Sequence, residues 1–394
     1  MQKCLTFICI FLFFHPSFAQ DNKKKDVGPS PKTPLILTKK QKRKIKVKPD
    51  SLWVRDYDDL LSLDIPFAST SLTVDLTDKI TNKVMNYRPH SDMTVGLEAG
   101  FQVFGFGYAV SSGLSTLSNK TYGKTDYNDY SFSFTTHRLV LDVFFEDFKG
   151  FYLYNYTSFP KTSPADTSKI FPQRSDMHAV SAGLSFYYIQ NFKHFSYKAP
   201  FSNSEEQLKS AGTFMWGGYI STFNLNADSG LVYGKYKRSL TGYSNINMSN
   251  TINIGVSPGY MYTFVFKHHF YASIALNPGL SWMYYQSLAH GPKDTIPGSK
   301  DSTYKVMSTA NLGFKITSRI SFGYNSPRLY AGCTFSGDAF YQDESISKSK
   351  VDYAIGSVRV FIGYRFNVPL LNKIWKGGDS GDRIEINSAS SARL

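Results

Sequence analysis

The sequence has little that could cross-link or anchor it. Of three cysteines in 394 residues, Cys4 and Cys9 lie in an N-terminal targeting stretch and only Cys333 follows it. The mature chain therefore forms no internal disulfide. Charged residues make up 19% of the chain, against roughly 25% in an ordinary globular protein. After the N-terminus no run of 18 apolar residues occurs, which argues against a membrane-spanning helix. GxSxG, HExxH and paired Cys/His ligand spacings are absent, so the common hydrolase and metalloprotease signatures are missing. The glycine-rich GFGYAVSSG (105–113) has no helix pattern after it and is a poor phosphate cradle. No cofactor and no metal are implied.

Aromatic residues are plentiful: 32 Phe and 27 Tyr, part of a 16% aromatic share. An aromatic- and glycine-rich chain without helical spans is compatible with a β-barrel, whose signal per strand is weak. The N-terminus reads as a secretory signal over residues 1–19. Lys3 supplies the charge, Cys4 to Phe14 the apolar core, and Ser17-Phe18-Ala19 the small residues at a cleavage site. Net charge is +14, of which residues 20–50 hold +8 and the signal +1, leaving +5 for the rest. Residues 20–50 read as a disordered basic linker: a solvated spacer, or a contact with anionic headgroups or cell-wall polymer. A nucleic-acid partner is not expected for an exported chain.

From Leu61 to Phe366 the dominant period is two. In TINIGVSPGYMYTFVF (251–266), Ile252, Ile254, Val256, Tyr260, Tyr262, Phe264 and Phe266 share one face and Asn253, Gly255, Ser257 and Gly259 lie opposite. Pro258 cannot donate to a ladder and predicts a break in pairing there. The same alternation recurs in Met93–Phe101, Val103–Val110, Asp129–Thr135, Arg138–Glu146, Met177–Ile189, Phe270–Tyr285, Tyr304–Tyr324, Leu329–Tyr341 and Val358–Phe366. Leu61–Leu76 and Ser210–Phe223 fit less regularly, and the total is about twelve strands.

An apolar face can turn inward in a soluble sandwich or outward into lipid in a barrel. Three features favour the all-β, closed antiparallel transmembrane barrel over residues 51–367. Several strands are long enough for a tilted crossing. The polar face carries small residues that suit a crowded lumen. Joins also alternate: short near 102, 136–137, 267–269 and 325–328, long at 77–92, 112–127, 148–176, 224–250, 287–303 and 343–352. That alternation puts both termini on the short-turn, periplasmic side. Residues 190–207 break the rule, and a small periplasmic element or a plug is expected there.

The stretches WVRDYDDLLSLDI (53–65), NYRPHSDMTVGLEAGF (86–101), FKGFYLYN (148–155), FKHFSYKAPFSNSEEQLKSAGTFMWGG (192–218) and RISFGYNSPRLYAGCTFSGD (319–338) resemble an exported Bacteroidetes family, domain of unknown function 4421. The resemblance covers roughly residues 52–367. It implies an outer-membrane β-barrel and supplies neither substrate nor functional residues. The last strand ends in Phe366, as barrel assembly signals commonly end in an aromatic, but a polar tail (368–394) follows it.

The candidate site is the set of charges predicted to face the lumen: Glu98, Asp129, Asp142 and Glu146 from early strands, and Lys305, Lys315, Arg319, Asp338, Arg359 and Arg365 from late ones. First and last strands are neighbours in a closed barrel, so Arg359 and Arg365 are expected near the early acids. Such charges can form a structural ion-pair network or line a pore or ligand cavity. A lipid-modifying rim enzyme is the competing functional class. It finds little support, because His178 and Ser181, three apart on a strand, point to opposite faces, and His268-His269 sits in a predicted turn. Cys333 falls on the lipid face as a small apolar residue. Loop tyrosines such as Tyr122, Tyr127, Tyr152, Tyr154, Tyr233, Tyr236 and Tyr243 either bind a glycan or partner or mark strand ends at the interface. The expected partner is outer-membrane lipid, with any small solute unidentified. The expected role is a noncatalytic narrow pore, ligand-binding barrel or envelope scaffold; a soluble exported sandwich is the remaining alternative.

Overall fold

A computed structural model describes residues 48–371, apart from 91, 102–103, 112–118, 159–170, 233, 235, 237–245, 268, 291–303 and 343–348. The expected signal, nearly all of the basic linker and most of the polar tail lie outside the described residues. Among the described residues sixteen strands run in chain order: β1 (Val54–Asp56), β2 (Leu60–Asp78), β3 (Lys83–Arg88), β4 (Thr94–Phe101), β5 (Phe104–Ser111), β6 (Asp126–Thr135), β7 (Leu139–Leu153), β8 (Gln173–Ile189), β9 (Glu205–Gln207), β10 (Ala211–Ala227), β11 (Ile246–Val256), β12 (Gly259–Phe266), β13 (Phe270–His290), β14 (Tyr304–Asn325), β15 (Leu329–Gln342) and β16 (Ser349–Asn367).

All pairings are antiparallel, and the sheet closes on itself. β16 zips onto β2 from Ser349↔Asp78 to Asn367↔Leu60 without a break. Closure removes the sheet edges that would otherwise expose unpaired backbone. β11 and β12 form one stave interrupted at Ser257-Pro258, as the missing proline donor requires. Counting them once, the closed ring holds ten strands: β2, β3, β7, β8, β10, β11/β12, β13, β14, β15 and β16. This corrects the expectation of about twelve. The alternation pattern places 77–92 in a long join, whereas Met85 and Tyr87 alternate into the interior and make β3 a bridge from β2 to β7. β4, β5 and β6 hang off this ring, β4 from β2 and β6 from β7.

The ends at which β4 meets β5, β6 meets β7, β12 meets β13 and β14 meets β15 gather at one mouth with the 190–210 segment and both ends of the wall, and the opposite strand ends form the other mouth. Along β2 the in/out alternation keeps its phase, but the chemistry of the two faces swaps. In its first half Ile65 (46% exposed) and Phe67 (42%) point out, while Asp64 and Thr70 are buried. In its second half Leu72, Val74 and Leu76 point in (1% exposed or less) and Thr73, Asp75 and Thr77 point out. The wall therefore has an apolar outer belt near the short-turn mouth and an apolar inner core near the other. That core joins Leu72, Val74, Leu76, Met85, Tyr87, Phe148, Phe223, Leu225, Phe340 and Tyr353, among others. Oily side chains thus do not all splay away from the axis. This is also why the sequence reading ended strands early: β7 continues to Leu153 and β10 to Ala227, past the point where the apolar face switches sides.

Candidate functional site

Three layers fill the barrel. At the short-turn mouth, residues 190–209 fold back into the lumen. Asn191 donates from its backbone to Thr213 Oγ1 (2.9 Å) and from its side chain to Gly212 O (2.9 Å), which fixes the entry of the segment. A single helical turn, Lys198–Phe201, then crosses the mouth. Wall side chains donate to its backbone: Ser321 Oγ to Pro200 O (2.9 Å), and Asn325 Nδ2 to Ala199 O (3.1 Å) and Glu205 O (2.8 Å). Asn203 turns the chain in the left-handed region (φ 53°), and its carbonyl accepts from Arg365 Nε at 3.0 Å. The segment is a plug, and the two-stranded sheet β1–β9 straps the N-terminal part of the chain to it.

The plug carries its own buried ion cluster. Lys198 Nζ lies 3.1 Å from Asp58 Oδ1 and 3.5 Å from Glu205 Oε1, and His137 Nδ1 lies 2.7 Å from Glu205 Oε1. Glu206 receives Arg55 (3.0 Å), His269 (2.6 Å) and the Tyr57 hydroxyl. Burial pushes the Asp58 carboxyl up to about 6; the Lys198 ammonium opposes this, while Asp56 and Glu205 add to it. Glu205 is also desolvated, yet His137, Lys198 and Ser196 together hold it below its ordinary value. Among the described residues one group has metal-ligand proximity, Asp56, Asp58 and His137, within 4.8 Å of one another. The Lys198 ammonium already supplies a positive charge to it.

Above the plug lies the charged layer. Arg359 bridges Asp64 (2.8 Å) and Glu98 (2.6 Å), tying the last stave to two early ones. Arg319 meets Asp142 at 3.0 Å and the Tyr197 hydroxyl of the plug. Lys315 lies 3.3 Å from Asp338, its ammonium over the rings of Tyr219 and Phe340. The interior thus gathers Glu98, Asp142, Lys315, Arg319, Asp338 and Arg359 into ion pairs. Arg365 is lower and does not reach the early acids; it is spent on the carbonyls of Asn203 and Ser326 and on Asn325 Oδ1. Asp129 accepts from Tyr127 (2.9 Å) on the inner face of β6. Glu146 is buried, and its Oε2 has no hydrogen-bond partner. The side chain of Lys305 lies outside the described residues.

The sequence reading missed Asp64, which belongs to the irregular first half of β2. It also missed Asp58, Lys198, Glu205 and Glu206, which sit where no period exists. The long join 190–207 on a side of short turns was the available signal. Of the loop tyrosines, Tyr152 and Tyr236 are buried, whereas Tyr154 is exposed beneath the Arg88 guanidinium. Tyr233 and Tyr243 lie outside the described residues. His178 pairs with Asp147 (2.5 Å) while Ser181 is buried in the interior, so the two do not meet. Cys333 faces outward, half-buried and free.

The third feature is a seam. β5 follows β4 along its whole length, and β6 follows β7, but among the described residues β5 and β6 share one bridge, Phe104↔Phe134. Asp129, Ser131 and Ser133, on the inner face of β6, are exposed there. Inner-face polar residues across the barrel, such as Ser273, Asn277 and Ser321, are buried. The outer face beside the seam is apolar: Tyr130, Phe132, Val143 and Phe145 are all exposed.

A family model, Domain of unknown function (DUF4421), matches residues 48–366. The chain belongs to the DUF4421 family. No curated protein matches this DUF4421 chain. Solved structures similar to it include the outer membrane protease OmpT from Escherichia coli (8% identity, TM-score 0.36, 79% of this chain and 98% of that one). A FadL homologue from Pseudomonas aeruginosa is similar over 80% of this chain and 92% of its own, at 10% identity and a TM-score of 0.22. The attachment invasion locus protein Ail of Yersinia pestis is similar over 78% of this chain and 99% of its own, at 8% identity and a TM-score of 0.19.

Proposed function

We propose that this DUF4421 protein is an outer-membrane barrel, stoppered at both mouths, that binds a ligand in its charged interior through the lateral seam and catalyses no reaction. The observation that carries the reading is the seam itself. The inner polar face of β6 is exposed although a plug occupies one mouth and an apolar core the other. Residues outside the seam suit lipid: Ile65, Phe67, Trp216, Ile254, Trp282, Phe322 and Ile362 form a belt around the wall. Where the belt passes β2 and β7, the membrane-facing wall takes the longer route over β4, β5 and β6. β3 closes the ring beyond the belt. Unpaired strand edges are costly in hydrocarbon, so a seam at this height favours an occupant.

In this reading the short-turn mouth faces the periplasm. The basic stretch 20–50 then lies within reach of cell-wall polymer or anionic headgroups. The stoppered mouths weigh against a pore. The absence of catalysis is supported by the charged side chains being engaged with one another rather than arranged as nucleophile and base.

The test is side-chain accessibility in a Cys333→Ser background, in liposomes. Ser131→Cys on β6 should react with a membrane-partitioning maleimide much faster than Ser321→Cys, which is fully buried inside. Equal, slow reaction at both positions would rule out lateral access.

A further inference from the structure

We infer that the seam binds the cationic head of an amphiphile, an alkylammonium group, against Glu146 and Asp129. The inference rests on the lateral-access reading and adds the class of ligand to it. Asp129 on β6 and Glu146 on β7 are directly paired across the ladder. Both side chains lie on the inner face, at the strand that borders the seam. Glu146 is 8% exposed, its Oε2 has no hydrogen-bond partner, and the charges that act on it are two further acids, Asp129 and Asp338. A buried carboxylate without a counter-charge is costly. The other interior acids are not in this state: Asp64 and Glu98 share Arg359, Asp142 has Arg319, and Asp338 has Lys315. Counting those pairs, Glu146 and Asp129 are the acids of this layer to which no interior Lys or Arg is matched among the described residues.

The height of the pair selects an amphiphile. On the outer face, Tyr130 and Phe145 on the belt side give way to Asn128 and Asp147 on the other side of the Asp129–Glu146 rung. The acids therefore lie level with the boundary where apolar surface ends. A chain in the belt beside Phe132 and Val143 would place its head at that rung. A single bare metal ion fits less well, because among the described residues no set of three or more ligand side chains that includes these carboxylates gathers within 4.8 Å. An ammonium needs only the two acceptors, donating to each at about 2.8 Å.

The experiment compares three probes of equal chain length, dodecylamine, dodecanol and dodecanoic acid, by displacement of a fluorescent fatty probe from the full-length protein in neutral detergent. Dodecylamine should bind at least tenfold more tightly than dodecanol, and Glu146→Gln together with Asp129→Asn should remove that preference while leaving dodecanol binding unchanged. Free ethanolamine, without a chain, should bind far more weakly than dodecylamine. Amine and alcohol binding equally well, or the double variant keeping the preference, overturns the assignment of a cationic head and leaves lateral access intact. If no probe binds to either protein, the lateral-access reading fails with it. Glu146→Asp, which keeps the charge, should retain the amine preference and guards against a folding defect in the amide variants.

Discussion

At the scale of the residue, Arg359 is the interior side chain on which most depends. It sits on the last stave and reaches acids on two early ones, Asp64 and Glu98. Arg359→Ala leaves Asp64 (8% exposed) facing Glu98 without a cation between them. The expected loss is about 2–3 kcal/mol, less than for a fully desolvated pair because Glu98 remains partly exposed. Thermal unfolding in detergent, followed by loss of heat-modifiable migration, should show a lowered midpoint. Arg359→Lys should recover only part of it, since one ammonium cannot fork to two carboxylates as a guanidinium does. In the inner core, Leu76→Ala removes a side chain with no exposed surface and should cost about 3 kcal/mol. Ile362→Ala, on the outer belt, should cost much less in the same assay.

At the scale of the element, the plug is governed by its buried charges. The Asp58 carboxyl, lifted by burial to about 6 against an ordinary 3.8, binds its proton more tightly folded than unfolded. Its contribution to stability is therefore present in full below the unfolded value and is lost as pH rises through about 6. Glu205 acts with the opposite sign: its contribution is present above the ordinary glutamate value and fades as pH falls below it. Hydrogen-exchange protection of residues 191–207, corrected for intrinsic rates, should rise from pH 7.5 to pH 5. In Asp58→Asn that rise should disappear. Little of this element was legible in the sequence. The segment has no period of two, because its backbone bonds go to wall side chains such as Asn325 and Ser321 rather than to a ladder. Its length alone, on the side of short turns, pointed to a small periplasmic element or a plug without choosing between them. The staves were far more legible, because outward-facing residues such as Ile252, Ile254, Ile274 and Ile320 repeat with the pleat. Legibility failed where the apolar set changed sides: β3 was lost in a loop, and the far ends of β7 and β10 with it. In the site, the approach of Arg359 to the early acids followed from ring closure, whereas Arg365, expected there too, is taken up by Asn203, Ser326 and Asn325. The orphan state of Glu146 did not, since it depends on where three other cations are spent.

At the scale of the whole molecule, the proposed reading makes the barrel a poor conduit, because two independent stoppers would have to move. The plug closes one mouth, and the core built on Leu72, Val74, Phe223, Leu225 and Tyr353 fills the other. Replacing residues 192–207 by a short Gly-Ser turn should therefore produce no steady ohmic conductance in a planar bilayer. A stable open channel from that deletion would mean that the apolar core does not close the lumen.

The unbroken zipper between β16 and β2 also sets an order of events. Those two strands are separated by almost the whole chain, so the hoop cannot be completed until the last stave has been made and delivered. The stopper, which lies mid-chain, has left the ribosome long before that moment. It need not be threaded through a finished opening: the wall can be drawn around it, and Arg365 on the closing stave is the clasp that seizes the Asn203 carbonyl as the circle shuts.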